Sequence, residues 1–227
     1  MMHICLFDID GTLLDSAGAG QAAMESTLRE QFDQSGPISG ISTAGRTDRA
    51  IVRDLFAFYG IADTVDHWRR IAEAYPVHLQ HQLPRKPGRI LPGIRALLQQ
   101  LAARNNVVLG LLTGNFRSGA QLKLRHYELE TFFAWDWGGF GDQALERDDV
   151  ARAVAAELEQ NFPEPVDYDR VWVIGDTPAD IRCGRAIGAR VVAVATGSFD
   201  AATLAAARPD HLFANFQDAA PLLNWLS

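Results

Sequence analysis

The sequence predicts an α/β fold: a doubly wound parallel sheet with one all-helical insertion. Three observations carry that expectation. Short, unbroken apolar runs recur along the chain and end in polar residues or glycine, the pattern of strands buried on both faces. Between the runs, apolar residues fall at helical spacing, and such alternation requires a parallel sheet with crossover helices. One stretch, residues 17–87, breaks the alternation with three helical patterns and no convincing strand.

The first run, residues 4–7, closes on Asp8. Residues 20–32, 47–59 and 63–82 then carry the helical patterns of the insertion. Thr47 is placed to cap the second, ahead of Ile51, Val52, Leu55 and Phe56 on one face. Pro84, Pro87 and Gly88 mark a return linker. After Pro92, Ile94, Leu97, Leu98 and Leu101 repeat as a helix within residues 93–104. The run 107–112 closes on Thr113-Gly114-Asn115 and precedes a helical pattern at 118–127. A further pattern at 149–160 leads to the run 171–174, which closes on Gly175-Asp176. Residues 179–187 are helical in pattern, 190–194 form a fourth run before Thr196-Gly197, 211–213 a weaker fifth, and 216–225 a last helix. The expected organisation is a core of residues 1–16 and 88–227 with a helical domain of residues 17–87. In open α/β sheets the functional crevice lies beyond the carboxyl ends of the strands, and Asp8, Thr113 and Asp176 all fall there.

The 227 residues suffice for one or two domains, and 48% hydrophobic with 22% charged residues is ordinary globular usage. Lys and Arg number 21 against 28 Asp and Glu, a net charge of −7, which argues against nucleic acid as the main partner. A small phosphorylated metabolite remains compatible with that balance. Cys5 lies in an apolar run and Cys183 in a helical pattern, so no disulfide framework is expected. The amino-terminal residues do not read as a signal peptide, and no run approaches the roughly 18 apolar residues of a membrane span. The expectation is a soluble, cytoplasmic protein with no membrane partner; a homo-oligomer stays open.

The strongest local signal is Asp8-Ile9-Asp10-Gly11-Thr12-Leu13. Two carboxylates at the end of a buried strand are costly unless a cation or hydrogen-bond donors compensate them. Gly11 permits the chain to bend there and Thr12 can cap the bend, although Asp-Gly-Thr is also ordinary turn chemistry. Thr113-Gly114-Asn115 reads by itself as a strand-ending turn, with Asn115 able to cap the next helix. Gly175-Asp176-Thr177-Pro178-Ala179-Asp180 adds two carboxylates at a third strand end, where Asp176 or Thr177 can also cap a helix starting at Pro178. Gly18-Ala19-Gly20 lacks the strand context of a dinucleotide fingerprint, and His78 and His81 lack zinc-ligand spacing.

Taken in order, these segments resemble motifs I, II and IV of the haloacid dehalogenase superfamily. The likeness is to its phosphatase branch with a type C1 helical cap, of the phosphoglycolate phosphatase-like kind, and it spans nearly the whole chain. It implies that Asp8 attacks phosphorus to form an aspartyl-phosphate while Asp10 serves as general acid and base. The dehalogenases proper lack the second Asp, so Asp10 favours phosphoryl chemistry. Thr113, with the neighbouring Gly114 and Asn115, would hold a phosphoryl oxygen. Asp8, the Asp10 main-chain carbonyl and Asp176 would bind Mg2+, with Asp180 acting from behind or through water. The family usually offers a Lys as motif III, but no Lys follows Lys123. Arg147 is the best-placed cation and Lys123 its competitor. Gly45-Arg46-Thr47-Asp48 resembles a cap segment facing the site, where Arg46 would meet a substrate anion. The implied activity is Mg2+-dependent hydrolysis of a small phosphomonoester; a phosphomutase and a non-catalytic binding or regulatory protein are the alternatives.

Overall fold

The computed structural model describes residues 2–38, 40–163 and 165–226. The chain opens with β1 (His3–Phe7) and a two-residue strand β2 (Leu14–Asp15). Three helices follow: α1 (Ala19–Phe32), α2 (Asp48–Tyr59) and α3 (Val65–Gln82). A second short strand, β3 (Arg89–Ile90), leads into α4 (Ile94–Ala102), β4 (Val107–Leu112) and α5 (Arg117–His126). Then come β5 (Gly138–Gly139), α6 (Arg147–Asn161), β6 (Val171–Gly175) and α7 (Pro178–Ala186). The chain closes with β7 (Arg190–Val194), α8 (Ala201–Ala206), β8 (His211–Phe213) and α9 (Ala220–Trp225).

The main sheet has six strands in the order β5-β4-β1-β6-β7-β8, and each neighbouring pair is parallel. β1 sits between β4 and β6 and is buried along its whole length, which is why its sequence is an apolar run without alternation. One face of the sheet packs Cys5, Phe7 and Leu111 against Leu97 and Leu101 of α4 and Leu222 of α9. The other packs Leu6 and Val173 against Val150, Val154 and Leu158 of α6. α1, α2 and α3 share a separate apolar cluster of Leu28, Leu55, Phe56, Ile71 and Leu79, which reaches Phe116 at the head of α5. The chain runs outward from β1 to β4 and β5, then crosses back to β6. That reversal opens a crevice at the carboxyl end of β1.

Three details depart from the expected elements. β2 and β3 pair antiparallel, Leu14 with Ile90 and Asp15 with Arg89, so the chain's exit to the three helices is hydrogen-bonded to its return. β5 is two glycines: a Cβ on Gly139 would lie 2.4 Å from Val154 and 2.8 Å from Val150, so α6 leaves no room for a side chain. α9 starts at Ala220, because residues 215–219 spend their polar groups in turns. The Phe216 N–H donates to the Pro92 carbonyl (3.2 Å), and the Asn215 side chain accepts from the Gln217 N–H (2.9 Å). Cys5 and Cys183 are buried free thiols. Among the described residues no helix is long and apolar enough to cross a membrane.

Candidate active site

Adjacent parallel strands deliver adjacent acids. β1 ends at Asp8 and β6 ends just before Asp176, while α7 begins two residues later and supplies Asp180. Carboxylate oxygens of these three buried residues lie within 4.8 Å of one another. The backbone holds Asp176 in place. Gly11 has φ +82°, and a Cβ there would stand 2.4 Å from Asp176 Oδ2; one on Gly197 would stand 1.7 Å from the same oxygen. Thr12 Oγ1 donates to Asp176 Oδ1 (3.0 Å), and Thr196 Oγ1 donates to the Gly11 carbonyl (2.6 Å), closing the two loops around the carboxylate.

Arg147, at the start of α6 and only 3% exposed, is the cation among these acids. Its Nη1 donates to Asp8 Oδ1 (3.3 Å), and its Nη2 donates to the Leu112 carbonyl (3.0 Å) and to Asp180 Oδ1. The other Asp180 oxygen accepts from Thr177 N–H (3.0 Å) and Thr177 Oγ1 (2.7 Å), completing a capping box at α7. Both Asp180 oxygens are thus committed, whereas Asp8 and Asp176 keep unspent lone pairs. Burial pushes the Asp8 carboxyl up to about 6, with Arg147 opposing the rise and Asp180 adding to it. Burial, then the charges of Asp180 and Asp8, pushes Asp176 up to about 8. A hard, all-oxygen donor set with more negative than positive charge fits a divalent cation such as Mg2+, which takes few carboxylates and keeps its waters.

Asp10 points to a different set of partners and is about 40% exposed. Its Oδ2 accepts from Lys123 Nζ (2.5 Å) and Asn115 Nδ2 (2.9 Å), and its Oδ1 from Ser16 Oγ (3.2 Å). Desolvation favours its protonated form, but Lys123 and these hydrogen bonds prevail and hold the carboxyl below its usual range. Asn115 Nδ2 also donates to Thr113 Oγ1 (2.8 Å), and Thr113 opposes the rise of the Asp8 carboxyl. The two cations weighed for one position therefore occupy two, Arg147 on Asp8 and Lys123 on Asp10. Asn115 does not cap α5. The N–H groups at its start go instead to Asp48, whose Oδ2 accepts from the Phe116 N–H (2.8 Å), and to Asp142, whose Oδ2 accepts from the Arg117 N–H (3.0 Å).

Residues 46–49 lie directly on the strand-end loops. Asp48 N–H donates to the Gly114 carbonyl (2.7 Å) and Arg49 N–H to that of Gly141 (3.2 Å). Thr47 caps α2 through the Ala50 N–H (3.1 Å) and donates to the Leu145 carbonyl (3.3 Å). A Cβ on Gly114 would lie 1.9 Å from the Arg46 carbonyl oxygen, and one on Gly141 would lie 2.0 Å from that of Gly114. Only glycine permits three backbones to stack this closely. Between this segment and the sheet lies a cavity of about 510 Å³, lined by Asp8, Asp10, Lys123 and Asp176 below and by Asp48 and Tyr75 above. Arg46 also lines it, but its guanidinium is held by Asp54 (2.5 Å) and the carbonyls of Ser42 (3.2 Å) and Ala50 (3.3 Å).

Sequence reasoning missed Ser16, Asp48 and Tyr75. Asp48 stood in the very segment quoted for Arg46, and an acid in a first helical turn reads as a dipole partner rather than a cavity wall. Tyr75 falls on the apolar face of α3 and carries no separate signal.

Residues 5–185 match the haloacid dehalogenase-like hydrolase family. The chain is 29% identical to a phosphoglycolate phosphatase of Rhodospirillum rubrum, over 100% of its own length and 91% of the relative's. It is 27% identical to a phosphoglycolate phosphatase of Synechococcus elongatus, over 93% and 92% of the two chains. A crystal structure described as a predicted phosphoglycolate phosphatase from Haemophilus somnus shares the fold, with a TM-score of 0.73 at 19% identity and 97% of each chain covered.

Proposed function

The chain belongs to the haloacid dehalogenase-like hydrolase family, and from that premise we propose a Mg2+-dependent phosphatase that hydrolyses small phosphomonoesters through an aspartyl-phosphate. The similarity to phosphoglycolate phosphatases makes 2-phosphoglycolate the first substrate to test. The observation that carries the reading is the meeting of Asp8 and Asp176 on one cavity floor, with Arg147 bonded to Asp8.

Asp8 is the nucleophile. Arg147 offsets its charge and fixes one of its oxygens, so the carboxylate meets phosphorus in a set orientation. The Thr113 hydroxyl and the main chain of Gly114 and Asn115 line the place of the phosphoryl oxygens. The Asp8 oxygen bonds to phosphorus as the bond to the leaving oxygen breaks; Asp10, whose carboxyl Lys123 holds below its usual range in the free site, takes up the proton that the substrate monoanion brings and gives it to the leaving oxygen. Asp10 then takes a proton from water, whose oxygen bonds to phosphorus as the Asp8–phosphorus bond breaks. Phosphate leaves and both acids are restored. Held by Asp8, Asp176 and the Asp10 carbonyl, Mg2+ would offset charge on the phosphoryl oxygens. Asp180 acts indirectly, by clamping Arg147.

In the same reading residues 17–87 are the cap, hinged at the paired strands β2 and β3 on a core of residues 1–16 and 88–227, and its closure keeps water from the intermediate. Arg46 meets a substrate anion by leaving Asp54. A reducing, cytoplasmic setting, in which Cys5 and Cys183 stay thiols, belongs to this reading too. The test is inorganic phosphate release from a panel of phosphomonoesters with Mg2+ and with chelator. Asp8→Asn should lower turnover about 10³-fold or more; full turnover in that variant overturns the covalent route. An isomerised sugar phosphate in place of released phosphate would mark a mutase instead.

A further inference from the structure

Lys123 is a buried cation that the proposed chemistry leaves without a task. It projects from α5, its side chain is 4% exposed, and no contact joins it to Asp8, whose charge Arg147 already offsets. Its ammonium group donates to Asp10 Oδ2 (2.5 Å) and Asn115 Oδ1 (2.6 Å), and Asn115 Nδ2 donates to that same Asp10 oxygen (2.9 Å). The three groups form a closed triangle in which each touches the other two. The amide has one possible orientation, because its oxygen must face the ammonium and its nitrogen must face Asp10 and Thr113. Asp10 Oδ2 is thereby pinned by two donors, and Ser16 Oγ takes Oδ1 from the other side (3.2 Å). An aspartate at a cavity wall is otherwise free to turn about its last torsion.

We propose that Lys123, acting with Asn115, is a positioning residue that holds the Asp10 carboxyl at the angle from which it hands its proton to the leaving oxygen. This rests on the phosphatase reading above, in which Asp10 is the general acid. The task concerns one event, protonation of the leaving oxygen as its bond to phosphorus breaks. An alkoxide needs that proton; a nitrophenolate leaves without it. Loss of Lys123 therefore acts selectively on substrates with poor leaving groups, whereas a role in folding or phosphate binding acts on all alike.

The experiment measures kcat/KM, which reports steps up to the first phosphorus–oxygen cleavage, with Mg2+ on alkyl phosphates and on p-nitrophenyl phosphate. The alkyl probes are 2-phosphoglycolate and glycerol 3-phosphate. Lys123→Met should lose about 100-fold on the alkyl phosphates and less than about fivefold on the aryl one, a milder copy of the Asp10→Asn profile. Lys123→Arg should regain part of the alkyl activity. Equal losses on both classes overturn the proposal, as does a raised KM at unchanged kcat, which would make Lys123 a leaving-group contact. If Lys123→Met does not fold, Asn115→Ser serves. It keeps the cation and opens the triangle, and the same selective loss is expected; an unselective one refutes the role. A wild-type protein inert toward both classes removes the phosphatase reading, and this role with it.

Discussion

Asp8 and Asp176 hold protons more tightly than free aspartates, up to about 6 and about 8, because burial and neighbouring negative charge disfavour ionisation. Both values lie above the unfolded value of 3.8, so as pH rises the unfolded chain ionises first and gains on the folded one. The metal-free protein should accordingly lose stability from about pH 4 through about pH 8, seen as a falling Tm in chelator. Mg2+ should raise Tm more at pH 8.5 than at pH 5, because its ligands must be ionised; a uniform effect would contradict the site. Gly197→Ala drives a methyl group into Asp176 Oδ2 and should weaken Mg2+ activation about tenfold or more, read from the metal dependence of turnover. At this scale the acids were legible in the sequence because clustered carboxylates at strand ends demand compensation. The division of labour between Arg147 and Lys123 was not. Spacing along the chain does not reveal that α5 turns Lys123 back onto Asp10 while α6 aims Arg147 at Asp8.

At the scale of elements, α5 has no cap of its own and borrows its acceptors, Asp48 from α2 and Asp142 from the loop before α6. Asp48→Ala should cost about 0.5–2 kcal/mol in urea unfolding, and Asp48→Asn, which keeps an oxygen for the Phe116 N–H, should cost less. The same borrowing explains why Asn115 looked like a helix cap in the sequence. Its position is right for capping, but a partner distant in sequence takes over the work and frees the amide for Asp10. The strands β1, β4, β6 and β7 were readable because burial on both faces writes itself as an apolar run. β2, β3 and β5 have two residues each, too few for any periodicity, and two of those residues are glycines.

At the scale of the molecule, α1–α3 rest on the sheet through the β2–β3 pair and the hydrogen bonds of residues 47–49. Phosphate with Mg2+ should slow amide exchange in residues 43–49 and 114–117 while leaving β7 unchanged, as hydrogen–deuterium exchange can check. The thiols report on the core. Burial pushes both Cys5 and Cys183 up to about 12, so a thiol reagent should label neither in the native protein and both after unfolding.

The seam where Arg46, Gly114 and Gly141 cross is formed by main-chain atoms. Its fit is consequently indifferent to much of what the side chains at positions 43, 44 and 46 happen to be, while Gly45, at φ +70° against Ala179 and Thr177, stays fixed. Evolution can rewrite those side chains as an exchangeable faceplate, retuning which phosphate ester is welcomed without re-machining the hinge or the acids beneath.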